Sequence, residues 1–383
     1  MDMRLSEEHE MIRKMAREFA QKEVAPIAAE IDEQARVPLE SIRKMGELGF
    51  LGLTVAEGYG GAGADTVAYV IAIEEIARVC ASTAAIMSVQ NSLVCQGLES
   101  YGDDGQRAAY LPRLVRGEAL GAFALTEPEA GCDAAAQRTT ARRDGDSYVL
   151  NGTKHFITNG GIADVVLVFG MTDPSRGARG ISAFIVEKGT PGFSLGREER
   201  KMGIRGTSTC ELNFQDCRVA AVNRLGGEGQ GLKIALSLLD GGRIGIAAQA
   251  VGIAQGAFDA ALAYAKTRHQ FGQPIGSFQA IQWMLADMNT RIEAARLLTY
   301  QAALAKEAAK KTGARYSREA AQAKLFASET AVWVTNRAVQ IHGGYGYMKD
   351  YPVERYYRDA KITEIYEGTS EVQRMVIAGA LMR

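Results

Sequence analysis

Residues Ile365-Tyr366-Glu367-Gly368-Thr369-Ser370-Glu371-Val372-Gln373-Arg374 place one acid beside a glycine, just ahead of the apolar run Met375-Val376-Ile377. Ser370 and Gln373 have the spacing of a capping box, so a helix is expected to start near Thr369 or Ser370, with Glu367 just outside it. Gly368 removes a side chain next to the acid. A bound molecule could then reach the backbone amide while the carboxylate points at the same molecule. A carboxylate so placed can work as a general base. The plain alternative is an exposed acid favoured by a helix N-terminus.

Few other groups compete for chemistry. The four histidines, His9, His155, His269 and His342, are dispersed without H-E-x-x-H spacing, and the five cysteines, Cys80, Cys95, Cys132, Cys210 and Cys217, include no C-x-x-C pair. Neither a metal site nor a disulfide framework is expected. Gly60-Gly61-Ala62-Gly63 lacks the third glycine of G-x-G-x-x-G, and Gly227-Glu228-Gly229-Gln230-Gly231 opens a helix outside any βαβ unit. Neither supports a Rossmann site, and no P-loop motif occurs.

The elements that must hold Glu367 follow from texture. With 383 residues, 47% hydrophobic and 23% charged, and a net charge of -1, the chain has the composition of a globular protein of two or three domains. It has no basic or acidic tail to attract nucleic acid, so function is expected in a concave site. The charged N-terminus has helical patterning instead of a secretory signal, which points to the cytoplasm. Residues 79–98 carry no charge over a length that could span a bilayer, but Ser, Thr, Gln and Asn interrupt them; a buried helix pair is expected, not a membrane span.

The expected fold is mainly α with a central β domain: residues 1–120 all helical, 121–228 a β-barrel or sandwich, and 229–383 a four-helix bundle. Helices are expected over 7–31, 39–46, 67–79 and 106–115, then over 232–264, 277–306, 317–340 and 371–382. Between them lie runs rich in Val, Ile, Phe and Thr at 148–150, 155–158, 165–169, 181–186 and 210–214, read as strands. Asn151-Gly152 is expected to form a type I′ hairpin turn. No single unit is large enough to enclose a large ligand, so the site should lie where they meet.

Six motifs, in order, resemble the acyl-CoA dehydrogenase family, most closely its short-chain, butyryl-type branch. They are Ala124 to Asp133 (ALTEPEAGCD), Phe156-Ile157-Thr158-Asn159-Gly160, Leu239-Asp240-Gly241-Gly242-Arg243, Arg268-His269-Gln270-Phe271-Gly272, Gln340 to Tyr347 (QIHGGYGY) and the segment around Glu367. The resemblance covers nearly the whole chain. It implies an FAD enzyme of fatty acid β-oxidation that converts an acyl-CoA to the trans-2-enoyl-CoA. Glu367 would take the α-proton while the β-hydrogen leaves as hydride to flavin N5.

The resemblance also implies roles for other residues. Phe123, Leu125, Thr126, Cys132, Phe156, Ile157 and Thr158 would surround the flavin, Thr126 and Thr158 by hydrogen bonds and Phe156 by packing on its face. Many members carry Trp at the position of Phe156, and the family usually has Ser or Thr where Cys132 stands, a weaker donor. Arg268, Phe271, Gln279, Gln340, Gly343 and Gly344 would reach the FAD of a neighbouring subunit, with Thr369 and Glu371 on its other side. That implies a homo-oligomer, a tetramer by family habit. Cys132, Asp240, Arg243 and Gly368 would contact the acyl-CoA, Asp240 and Arg243 sharing one helix face.

Substrate class is narrowed in the same way. Isovaleryl-type and long-chain members take their base from the position matching Gly242, and glutaryl-type members carry an arginine where this chain has Ala84. A straight or lightly branched short acyl chain is therefore implied, with segment 79–98 as its apolar wall. The implied electron acceptor is an electron-transferring flavoprotein. The competing readings are an isobutyryl- or 2-methylbutyryl-CoA dehydrogenase, an acyl-CoA oxidase, though oxidases usually carry a further C-terminal domain, and a silent flavin or acyl-CoA scaffold.

Overall fold

The computed structural model describes residues 5–382. The first helical stretch is broken: α1 (Glu7–Phe19) runs through a wide turn at Ala20–Val24 and a tight one at Ala25–Ile27 before α2 (Ala28–Gln34). Pro26, which has no N–H to donate, lies in the break. Next come α3 (Leu39–Glu47) and α4 (Thr66–Ala77). α5 (Ala81–Ser88) and α6 (Gln96–Tyr101) are joined by π-helical Val89–Cys95, so the uncharged segment is one continuous helical run and not a helix pair. α7 (Asp104–Val115) closes this part, capped by Asp103.

Eight strands form one sheet: β1 (Gly121–Ala124), β2 (Thr140–Asp144), β3 (Ser147–Thr158), β4 (Val165–Met171), β5 (Ile181–Glu187), β6 (Phe193–Glu198), β7 (Thr209–Ala220) and β8 (Arg224–Leu225). The order is β6-β7-β3-β2-β4-β5-β8, with β1 parallel to β4. The expected Asn151-Gly152 hairpin is wrong. Both residues lie inside β3, and the chain reverses between Asp144 and Ser147, where Gly145 takes φ 60°. Asn151 is held in the strand by Asp216 of β7, accepting from its N–H at 2.8 Å and donating to its Oδ1 at 3.1 Å. These long-range bonds override the local turn preference.

The last part contains α8 (Gly231–Thr267), a small ribbon of β9 (His269–Gln270) and β10 (Gln273–Pro274), then α9 (Gln279–Thr312), α10 (Ser317–His342), α11 (Val353–Ile362) and α12 (Ser370–Leu381). α10 packs on α8, α9 and α12, which makes the expected bundle; α11 is an additional helix. α8 is long and apolar enough to cross a membrane, but 72% of its apolar window is buried inside the protein. A Cβ at Gly252 or Gly256 would overlap the carbonyls of Glu74 or Arg78, so these glycines let the α4 end of the helical layer sit directly on α8.

Strand alternation divides the core. Val165, Leu167, Phe169, Ile181, Ala183 and Ile185 pack toward α7 and the start of α8, while Val166, Val168, Phe184 and Val186 pack on the opposite face with Tyr148 and Leu212. One polar residue ties the helical layer together. Asn91, 1% exposed, accepts from Leu53 N–H at 2.9 Å and donates to the carbonyls of Phe50 at 2.8 Å and Met87 at 3.0 Å. Replacement of Asn91 by Leu leaves three buried backbone groups unpaired, so N91L should lose about 3 kcal/mol or more. A fall of the urea midpoint by less than a tenth of its wild-type value would contradict that.

Candidate active site

Glu367 lies in the turn between α11 and α12. Thr369, not Ser370, is the N-cap, its hydroxyl accepting from Val372 N–H at 3.4 Å. Gln373 does not close the expected capping box: its Nε2 donates to the carbonyl of Gly368 at 2.7 Å, and Ser370 Oγ is buried without a partner. Glu367 and Gly368 both take left-handed backbone angles, φ 53° and 98°. A glutamate there is uncommon and must be held by its surroundings. The turn is pinned by Tyr366, whose hydroxyl donates to Gln249 of α8, and Gln249 in turn donates to the carbonyl of Ala81 at 2.9 Å.

Helices α8 and α10 flank the Glu367 carboxylate. A Cβ on Gly242 of α8 would overlap its Oε2, so the missing side chain at 242 is the space the acid occupies. Oε2 is buried and has no hydrogen-bond partner. Burial pushes the carboxyl up to about 7, and Lys324 of α10 and Arg243 of α8 restrain the rise. Arg243 is 5% exposed, bonds Asp240 at 2.6 Å and aims its Nε at the Glu367 carbonyl at 3.5 Å. Asp240 also accepts from Ser317 of α10. The Asp240–Arg243 pair is thus an enclosed pair beside the acid, not a surface one.

Around this niche the glycine-rich side of α8 faces polar groups. A Cβ at Gly245 would strike the Tyr69 hydroxyl and Ser88 Oγ, which bond each other at 2.9 Å; one at Gly241 would meet Gln96 Oε1 at 3.0 Å and Lys306 Nζ at 3.1 Å. The apolar wall expected of segment 79–98 is therefore corrected: Ser88 and Gln96, both in that segment, present polar groups to α8.

The loop after β1 comes to the same place: Cys132, exposed, has its Sγ 4.0 Å from Thr369 Oγ1. Its root is fixed by Lys154 of β3, which is 0% exposed and donates to the Leu125 carbonyl at 3.0 Å, Glu127 at 2.7 Å and Gln137 at 3.0 Å. Burial pushes the Lys154 ammonium down to about 8 against the pull of Glu127. The next residues leave the β7 register, and this bulge turns Phe156 outward at φ 58° and 60% exposure. His155 stacks on the Phe156 ring at 4.1 Å and 8°, with Nε2 3.1 Å from Glu199. Thr126 and Thr158 are half-buried, and neither hydroxyl bonds another of the described residues. The side chains of Leu125 and Ile157 are in the core and Phe123 packs on Phe169 at 5.0 Å, so none of the three presents a side chain outward as Phe156 does.

The other predicted residues form a separate group. Arg268 lies 5.4 Å over the Tyr345 ring beside a cleft of about 500 Å³ lined also by His342, Gly343 and Gly344; Gly343 caps α10 at φ 59°. Phe271 is 92% exposed, and Gln279, Gln340 and Glu371 are exposed too. No hydrogen bond or ion pair joins Arg268, Phe271, Gln279 or Gln340 to the Glu367 group among the described residues. Sequence reasoning missed Lys324, Lys154 and Gln249, and gave Gln373 a capping role in place of its bond to the Gly368 carbonyl. Nothing marks the first three along the chain, since each acts through a contact distant in sequence.

Family models described as the acyl-CoA dehydrogenase N-terminal, middle and C-terminal domains match residues 6–118, 122–217 and 229–382. The chain is 54% identical, over all of both chains, to the short-chain specific acyl-CoA dehydrogenase of Clostridium acetobutylicum. Two solved structures superpose with TM-score 0.97, each covering both chains in full: butyryl-CoA dehydrogenase from Megasphaera elsdenii, 49% identical, and a chain described as electron transferring flavoprotein of Acidaminococcus fermentans, 53% identical.

Because Gly242 supplies the volume for the carboxylate, Gly242→Ala should displace Glu367 and slow any proton transfer that depends on it by about 100-fold. Cofactor content should stay at the wild-type level. Substrate-driven bleaching of the bound flavin at an undiminished rate would refute the assignment of that space.

Proposed function

The chain belongs to the acyl-CoA dehydrogenase family, and we propose that it dehydrogenates a short, straight or lightly branched acyl-CoA with Glu367 as the base. Its cofactor is FAD. The residues on hand fit that group: an exposed Phe156 ring on a strained bulge, two unengaged threonine hydroxyls, and Arg268 beside a glycine-lined cleft. Bound FAD supplies the acceptor for the β-hydrogen and its electron pair.

The observation that carries the base assignment is the buried, unpartnered Oε2 of Glu367. A carboxyl near 7 is half ionised in neutral solution, and an entering acyl chain removes more water and raises its proton affinity further. Proton transfer from the α-carbon then goes to an oxygen that no donor has already satisfied. The N–H of Glu367 has no acceptor among the described residues and is free for the thioester oxygen, which would acidify the α-proton. Asp240 and Arg243 lie on the side of α8 next to this turn, where the CoA portion would pass.

The proposal extends to partners. Arg268, Phe271, Gln279, Gln340, Gly343 and Gly344 would serve the FAD of a neighbouring copy in a homotetramer; the 92% exposure of Phe271 and the lack of any link from this group to Glu367 support that. An electron-transferring flavoprotein is the proposed acceptor, supported by the similar chain from Acidaminococcus fermentans. A cytoplasmic location and three units at 1–120, 121–228 and 229–383 belong to the same reading; the three family-model matches support the division.

The test is anaerobic mixing with butyryl-, isobutyryl-, 2-methylbutyryl-, octanoyl- and glutaryl-CoA. Bleaching of the flavin should be fastest with a short acyl chain. Its rate should rise with pH through an inflection at or above 7, because Glu367, desolvated further by the acyl chain, must be ionised to accept the proton. Glu367→Gln should bind FAD and thioester and lose about 10² to 10⁴ in rate; near wild-type bleaching would end the base assignment. Separately, Arg268→Ala should shed FAD and weaken the oligomer, whereas unchanged FAD content would exclude the shared site.

A further inference from the structure

Lys324 is 0% exposed, and among the described residues it forms no ion pair. Its ammonium donates at 2.7 Å to the carbonyl of Gly368, the residue after the base. Gln373 Nε2 donates to the same carbonyl at 2.7 Å and approaches that of Glu367 at 3.4 Å; Arg243 Nε approaches the latter at 3.5 Å. Two successive carbonyls in a left-handed turn are thus gripped by donors from α8, α10 and α12. A buried ammonium beside a carboxylate ordinarily bonds it directly, as Lys154 bonds Glu127. Here the cation is spent on the main chain, and Oε2 stays without a donor.

We propose that Lys324 is a positioning residue for the base: its bond to the Gly368 carbonyl fixes the turn that aims Glu367, and its charge acts on the carboxylate through space. The inference rests on Glu367 being the base. A neutral donor could hold the carbonyl alone, and burying an ammonium is costly. The cation adds an ion at short range that favours the carboxylate without occupying its oxygen. Lys324 is the foremost influence opposing the burial of Glu367, and Glu367 is the foremost one opposing the burial of Lys324. The other charged or titratable groups around the pair are Arg243 on α8, Tyr69 on α4, Tyr366 and Glu364 on the turn, and Glu371 on α12.

The experiment compares Lys324→Met, Lys324→Gln, Gln373→Leu and Glu367→Gln as FAD-loaded proteins. It follows anaerobic flavin bleaching by butyryl-CoA at pH values from about 6 to 9, a range that brackets the base. FAD content and circular dichroism are read alongside. Lys324→Met should lower the plateau rate about tenfold through lost aim and move the inflection about one pH unit upward, since the cation that favours ionised Glu367 is gone. Lys324→Gln should recover the plateau but keep the raised inflection. Gln373→Leu should lower the plateau with the inflection in place. If Lys324→Met does not fold, Lys324→Gln carries the test alone, and an unmoved inflection there overturns the proposal. A wild-type profile for Lys324→Met beside an inactive Glu367→Gln overturns it as well. An active Glu367→Gln overturns the base reading first, and this inference with it.

Discussion

The structure is organised around keeping one carboxylate oxygen out of water without giving it a hydrogen bond. Glu367 Oε2 is buried against Gly242 of α8 and touches no donor. Leaving a charged oxygen unsatisfied costs stability, and proteins usually avoid it. The surrounding design keeps that cost tolerable. Gly242 provides the volume, Arg243 and Lys324 provide compensating charge directed at backbone carbonyls, and Tyr366 fastens the turn to α8 through Gln249. The contrast with the Lys154–Glu127 pair, where the cation meets the carboxylate at 2.7 Å and Glu127 also accepts the N–H of Thr139 at 3.0 Å, separates an acid that fastens a loop from one free to take a proton.

Much of this was legible in the chain. The long alanine-rich helices, the change of texture near Gly121 and the acid beside a glycine ahead of a helix all declare themselves locally, because period and capping are short-range properties. What was not legible depends on partners far along the sequence. Asn151-Gly152 reads as a turn until Asp216 is seen bonded to Asn151. The capping box at Ser370 dissolves because Gln373 is engaged by the Gly368 carbonyl. Lys324 sits in an unremarkable helical stretch, and its significance lies 44 residues away in sequence.

Phe156 illustrates the same division. Phe156 has the pattern of a core strand residue, yet a register shift in β3 turns it to the outside at 60% exposure. Its neighbour His155 lies flat against it and is steadied by Glu199. A large apolar ring held outward in a strained backbone conformation marks a surface built to be covered.

The space opened by Gly242 can hold one acid and no more. A carboxylate could enter it from the α11–α12 turn, as Glu367 does, or from position 242 of α8 itself. The two compete for one space: a Cβ at 242 would overlap Glu367 Oε2, the end of a flexible side chain that would have to swing aside. An acid placed at position 242 would therefore fill this niche only if the side chain at 367 gave way.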